Sequence, residues 1–81
     1  MASKDLPTID VAATAENICR LMKAKRISVG QLQMAFGFQS ATNIYAWRQG
    51  RFIPNADHLV ALAHILGCKV DDILIVKEGQ T

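Results

Sequence analysis

The stretch SATNIYAWRQGR, residues 40–51, gathers side chains that can read and hold a polyanion. Asn43 can pair bidentately with adenine, Thr42 can donate, accept or meet a thymine methyl, and Ala41 and Ala46 can pack on such methyls. Tyr45 has the length to reach a base or a phosphate, and could equally cover a neighbouring helix. Gln39, Ser40, Arg48, Gln49 and Arg51 suit phosphate oxygens. Ser40 sits where a helix would start and backbone N–H groups favour an anion, and Gln49 and Arg51 flank Gly50, whose open backbone permits close approach. Arg48 can face a phosphate or stand solvated. No arginine on this face is placed to read guanine.

Catalytic and metal chemistry find no comparable grouping. His58 and His64 lie six residues apart, about 600° around a helix, so they leave from different faces and cannot share a zinc ion as an i, i+4 pair would. Each reads as a surface or half-buried histidine. Gly30, Gly37, Gly50 and Gly67 are spaced as turns and stops, not as a phosphate loop, and no serine or cysteine has a base nearby in sequence. Cys19 and Cys68 are isolated and read as two reduced, partly buried thiols. The expectation is a protein that is not an enzyme and uses no cofactor or metal.

Charge is distributed unevenly. The formal net charge is +2. From Thr14 to Pro54, however, Arg20, Lys23, Lys25, Arg26, Arg48 and Arg51 face Glu16 alone, a net of +5. The flanks carry Lys4, Lys69 and Lys77 against Asp5, Asp10, Asp57, Asp71, Asp72 and Glu78, a net of −3. A basic middle between acidic ends suits a polyanion approached from one side. Lys23, Lys25 and Arg26 could also simply complement the C-terminal end of a helix dipole.

The elements that must position these groups are all helical. A chain of 81 residues, 51% of them apolar, has room for one small domain with a thin core. Thr14 can cap a first helix with Ile18, Leu21 and Met22 inward, ending near Arg26. Ser28 and Gln31 form a capping box, with Ile27 and Leu32 as its hydrophobic staple, so a second helix starts there. Leu32, Ala35 and Phe36 face inward, and Gly37 ends it. After a turn through Phe38 and Gln39, Ser40 can cap a third helix with Ile44 and Trp47 inward and Gly50 as its stop. Pro54 and Asn55 open a fourth, with Leu59, Leu62, Ala63 and Leu66 as its stripe and Gly67 at its end. Asp71 and Asp72 favour the first turn of a brief fifth helix through Ile73 and Leu74. No segment alternates with period two for long enough to predict a strand. The pattern predicts an all-α, compact bundle of about five short helices: an N-terminal arm over 1–13, the domain over 14–76 and a flexible tail over 77–81.

Two short helices joined by a tight glycine-containing turn make a helix-turn-helix, in which the second helix enters the major groove. The run from Glu16 to Leu74 resembles the Xre family of helix-turn-helix proteins, the Cro and phage-repressor type. The resemblance rests on Ile27-Ser28, Leu32, Gly37, Ile44, Trp47-Arg48-Gln49-Gly50-Arg51, Pro54, Leu59, Leu62-Ala63, Leu66-Gly67 and Asp71-Asp72-Ile73-Leu74. The core Gly37-Phe38, Ile44-Tyr45, Trp47 and Gly50 looks most like that of small, single-domain bacterial members. The sequence departs from the family pattern in two places. Val29 stands where a phosphate-clamping glutamine is common, and the interval from Gly37 to Ile44 is one residue longer. With the register anchored on Ile44, the resemblance assigns Ala41, Thr42, Asn43, Tyr45 and Ala46 to the groove.

The resemblance implies a cytoplasmic transcriptional regulator, a repressor in the first instance, whose partner is double-stranded DNA. No small-molecule ligand is evident. The competing reading is a protein-interaction module, such as an antitoxin or adaptor on the same framework; the cluster of cations in the middle of the chain argues for DNA. Reading two half-sites requires a symmetric dimer, and the run Ile73-Leu74-Ile75-Val76 holds more apolar residues than one short helix can bury, which predicts a weak homodimer there. Met1 to Asp10 is charged and polar, and the longest mainly apolar stretch, Leu59 to Leu66, is too short to cross a bilayer.

Overall fold

A computed structural model describes residues 6–78 of the chain. In order, it contains β1 (Thr8–Ile9), α1 (Val11–Lys25), α2 (Val29–Phe36), α3 (Thr42–Gln49), α4 (Ala56–Leu66), α5 (Val70–Ile73) and β2 (Val76–Lys77). The expected five helices are present. No described helix is long and apolar enough to cross a membrane.

The core forms where the apolar stripes of the helices converge. Ile18, Leu21 and Met22 of α1 meet Leu32, Ile44, Trp47, Leu59, Leu62, Leu66 and Ile73, all buried. The local signals at helix ends account for much of this placement. At α2 the capping box closes in both directions: the Gln31 N–H donates to Ser28 Oγ at 3.1 Å, and the Ser28 N–H donates to Gln31 Oε1 at 2.7 Å. Asn55 caps α4, accepting from the His58 N–H at 2.8 Å. Gly50 ends α3 at φ 76°, in the left-handed region. A Cβ there would lie 3.6 Å from that of Ala15, an ordinary contact, so backbone conformation and not space selects glycine.

Several expectations at the ends of the chain are corrected. Asp10, not Thr14, caps α1, accepting from the Ala13 N–H at 2.9 Å. Residues 11–13 are therefore helical, not part of an arm. Thr14 lies fully buried one turn inside the helix, where its hydroxyl accepts from the Ile75 N–H at 3.0 Å. Both residues are good caps by type; the helix extends to Asp10 because the C-terminal segment lies alongside and uses Thr14. That segment also forms β2, which pairs antiparallel with β1 in the register Thr8↔Lys77 and Ile9↔Val76. Strands of two residues are too short to show alternation in sequence. Lys77 is thus paired, and the rest of the expected tail, like the first five residues of the arm, lies outside the described residues except for Glu78.

Asn17 binds the two ends of the chain further. Its buried amide donates to the carbonyls of Asp72 at 2.7 Å and Ile73 at 2.9 Å, satisfying the end of α5. Asp72 in turn accepts from the Lys69 N–H at 2.9 Å, so the acidic pair does open α5 as its spacing predicts. Ala35, expected inward, is exposed. Both cysteines are free and half-buried. Burial, helped by the Asp72 charge and opposed by Lys25, pushes the Cys68 thiol up.

Candidate nucleic-acid interface

Helix α3 starts at Thr42 after a cap position at Ala41 that makes no side-chain bond. Ser40 is therefore not the cap. Its hydroxyl instead lies 3.1 Å from Thr42 Oγ1 and 3.4 Å from the Thr42 N–H, so it stays at the mouth of the helix. Ile44 is fully buried and Trp47 is 2% exposed, which fixes the rotation of α3. That rotation leaves Thr42, Tyr45 and Gln49 exposed along the outer face, Asn43 exposed in the first turn before Trp47, and Ala41 half-buried at the start. Gln39, Ser40 and Arg51 are exposed at its two ends. The structure thus brings together most of the residues chosen from sequence.

Ala46 is the exception. It is 3% exposed and cannot enter a groove. The reason is that α3 packs on α1 as well as α2, so its buried arc is wider than the single stripe through Ile44 and Trp47. Tyr45 keeps 48% of its surface exposed, which is compatible with reaching DNA and with covering a neighbouring helix.

The outer face is held by an aromatic cluster that the sequence reading did not assemble. Phe36 at the end of α2 stacks on Phe38 in the turn, with centroids 4.9 Å apart and planes 10° apart. Trp47 meets both edge-on, at 5.6 and 6.1 Å. His58, from the first turn of α4, lies 5.5 Å from Phe36, 5.3 Å from Phe38 and 5.7 Å from Trp47. These rings pin the lengthened turn between α2 and α3 to the core, so the start of α3 is positioned by packing as well as by chain connectivity. The only sequence signal was the recurrence of aromatics, which does not say that a histidine completes the set.

Arg48 is half-buried, and its Nε donates to Cys19 Sγ at 3.4 Å. This directs the guanidinium toward the α1 side of α3. Among the described residues no three histidines, cysteines or acids gather as a metal would need.

A two-helix unit with a buried anchor, exposed polar residues on its second helix and cations at the C-terminal end of that helix has the layout of a groove-reading domain. A model of the Cro/C1-type HTH DNA-binding domain matches residues 17–79. The chain belongs to the Cro/C1-type helix-turn-helix family. In this Cro/C1-type domain α2 and α3 are the helix pair and α3 is the second helix of it. Comparison with curated proteins and with solved structures finds no match. The four residues expected to form a dimer surface are divided by the fold. Ile73 is fully buried in the core and is unavailable, and Leu74 is partly buried against it. Ile75 and Val76 remain exposed, at 37% and 53%.

Proposed function

We propose that this DNA-binding protein is a sequence-specific transcriptional repressor that inserts α3 into the major groove and acts in the cytoplasm, without catalysis. The observation that carries the reading is the exposure of Thr42, Tyr45 and Gln49 along α3 and of Asn43 in its first turn, on a helix anchored in the core by Ile44 and Trp47. Asn43 and Thr42 read base edges, and Ser40, Gln39, Gln49, Arg48 and Arg51 hold the flanking phosphates. Repression follows from occupancy: a domain seated in the groove excludes other proteins from the same duplex.

If about four to six phosphates are neutralised per protomer, log K should fall with log salt at about 0.9 per phosphate. Fluorescence anisotropy on a random duplex from low to physiological salt measures this. A flat response would remove the DNA reading and leave the protein-interaction module, for which exposed Phe52 and Val60 offer a surface.

Two half-sites about one helical turn apart call for a symmetric pair of protomers. The proposed weak homodimer uses Ile75 and Val76, the members of its apolar run that the core leaves accessible. Sedimentation should show a dimer on a palindromic site; a monomer both free and on that site would defeat this part of the reading.

A further inference from the structure

Of the four rings in the aromatic cluster, three belong to the helix pair itself: Phe36 ends α2, Phe38 lies in the turn and Trp47 is in α3. His58 alone comes from outside it, from the first turn of α4. Its ring stands nearly perpendicular to the stacked phenyls, at 82° to Phe36 and 76° to Phe38, with centroids 5.5 and 5.3 Å away, so one imidazole spans both members of the stack. It also reaches Trp47 at 5.7 Å. The backbone beneath it is fixed, because the His58 N–H donates to Asn55 Oδ1 at 2.8 Å in the cap of α4.

The turn depends on such a hold. Phe38 is tied back to α2 by its N–H, which donates to the Gln33 carbonyl at 3.1 Å, and by its carbonyl, which accepts from Gln33 Nε2 at 3.4 Å. Beyond it, neither Gln39 nor Ser40 makes a backbone–backbone hydrogen bond among the described residues, and the next such bond, from the Tyr45 N–H to the Ala41 carbonyl, already belongs to the start of α3. The Ser40 hydroxyl bonds only to Thr42. The chain between α2 and α3 is therefore placed by where the Phe38 ring packs, and His58 is the part of that packing that α4 supplies.

We propose that His58 is a positioning residue for base reading: through Phe38 and Trp47 it sets where α3 begins, and thereby where Thr42 and Asn43 stand relative to the groove. The inference rests on the DNA-binding reading and adds to it a specificity determinant in α4, outside the reading pair. Asn43 lies one turn before Trp47 on α3, so a displaced ring stack shifts the first turn of the helix while Ile44 stays in the core. A bidentate base contact tolerates such a shift poorly, because both of its hydrogen bonds have narrow ranges of distance and angle. A phosphate contact from a long side chain such as Arg51 adapts to it.

The test compares the full chain with His58→Ala, His58→Leu and His58→Phe, and with Val70→Ala, which trims a partly buried residue of α5 outside the cluster. Each is measured for its unfolding midpoint, its salt slope on a random duplex, and its ratio of affinities for a selected preferred duplex and a random one. His58→Ala and His58→Leu should shrink the ratio by about 5-fold or more, the lower end of what one bidentate contact supplies, with the salt slope unchanged. His58→Phe should restore the ratio, since it keeps a planar ring against the phenyls and Trp47. Val70→Ala should keep it even where its midpoint falls as far as that of the His58 variants. Backbone NMR relaxation of the free protein should show added motion confined to Phe38 through Asn43 in His58→Leu. Should His58→Ala fail to fold, His58→Leu, which fills the space without a planar ring, decides. A ratio unchanged in the His58 variants, or lowered as much in Val70→Ala at a matched midpoint, overturns the proposal and leaves His58 as packing alone. A ratio that His58→Phe does not restore overturns it as well. A wild type that binds both duplexes equally overturns base reading itself, and this inference with it.

Discussion

Trp47→Ala is expected to remove most of the domain's stability, whatever DNA is present. Removing a buried aromatic costs about 3–5 kcal/mol, against a total stability of about 5–15 kcal/mol for a native domain, and a chain of 81 residues belongs near the lower end. Trp47 is 2% exposed and its ring touches Phe36, Phe38 and His58, so truncation empties the centre of the cluster that joins α2, α3 and α4. The neighbours cannot collapse into the space without moving the turn that starts α3. Urea unfolding followed by far-ultraviolet circular dichroism measures the loss, since the substitution removes the fluorophore. Trp47→Phe should retain most of the stability. A loss below about 1 kcal/mol for the alanine variant would contradict the packing described.

The second large effect separates reading from holding. Asn43 is exposed on the first turn of α3, so Asn43→Ala should cost about 1–3 kcal/mol on the preferred duplex and almost nothing on a random one. Arg51 follows the Gly50 cap, and its own N–H is bonded to the Ala46 carbonyl at 3.0 Å, so the backbone stays in place when the side chain is cut back. Arg51→Ala should weaken both duplexes alike and lower the salt slope by about one unit. Neither change touches the core, so both variants should unfold as the wild type does.

The parts of this fold that were legible in the sequence are those whose causes are local. The Ser28-Gln31 box, the Asn55 cap and the stops at Gly37, Gly50 and Gly67 are bonds and backbone angles within a few residues, and each lies where its spacing predicts. Ile44 as the anchor of α3 was readable for the same reason. What was hidden depends on partners distant in the chain. Thr14 and Asp10 are both plausible caps until the Ile75 backbone claims the Thr14 hydroxyl across 61 residues. Asn17 looks like an ordinary polar residue of a helix until α5 arrives to use its amide. Ala46 was assigned to the groove because a single stripe through Ile44 and Trp47 does not reveal that α1 also covers α3. Ile73 was counted as surplus apolar surface, yet the core has a place for it. On the candidate site, residue types and helix rotation were legible, whereas the cluster of Phe36, Phe38, Trp47 and His58 needed the fold to bring three helices together.

Whether α3 reads base pairs is tested most directly by the ratio of affinities for the preferred and random duplexes in the wild type and in Asn43→Ala. The substitution should shrink this ratio by about 5- to 150-fold, the equivalent of 1–3 kcal/mol, through loss on the preferred duplex alone. If both duplexes weaken equally and the ratio is unchanged, Asn43 does not read a base, and the face of α3 described here is not in the groove in this register.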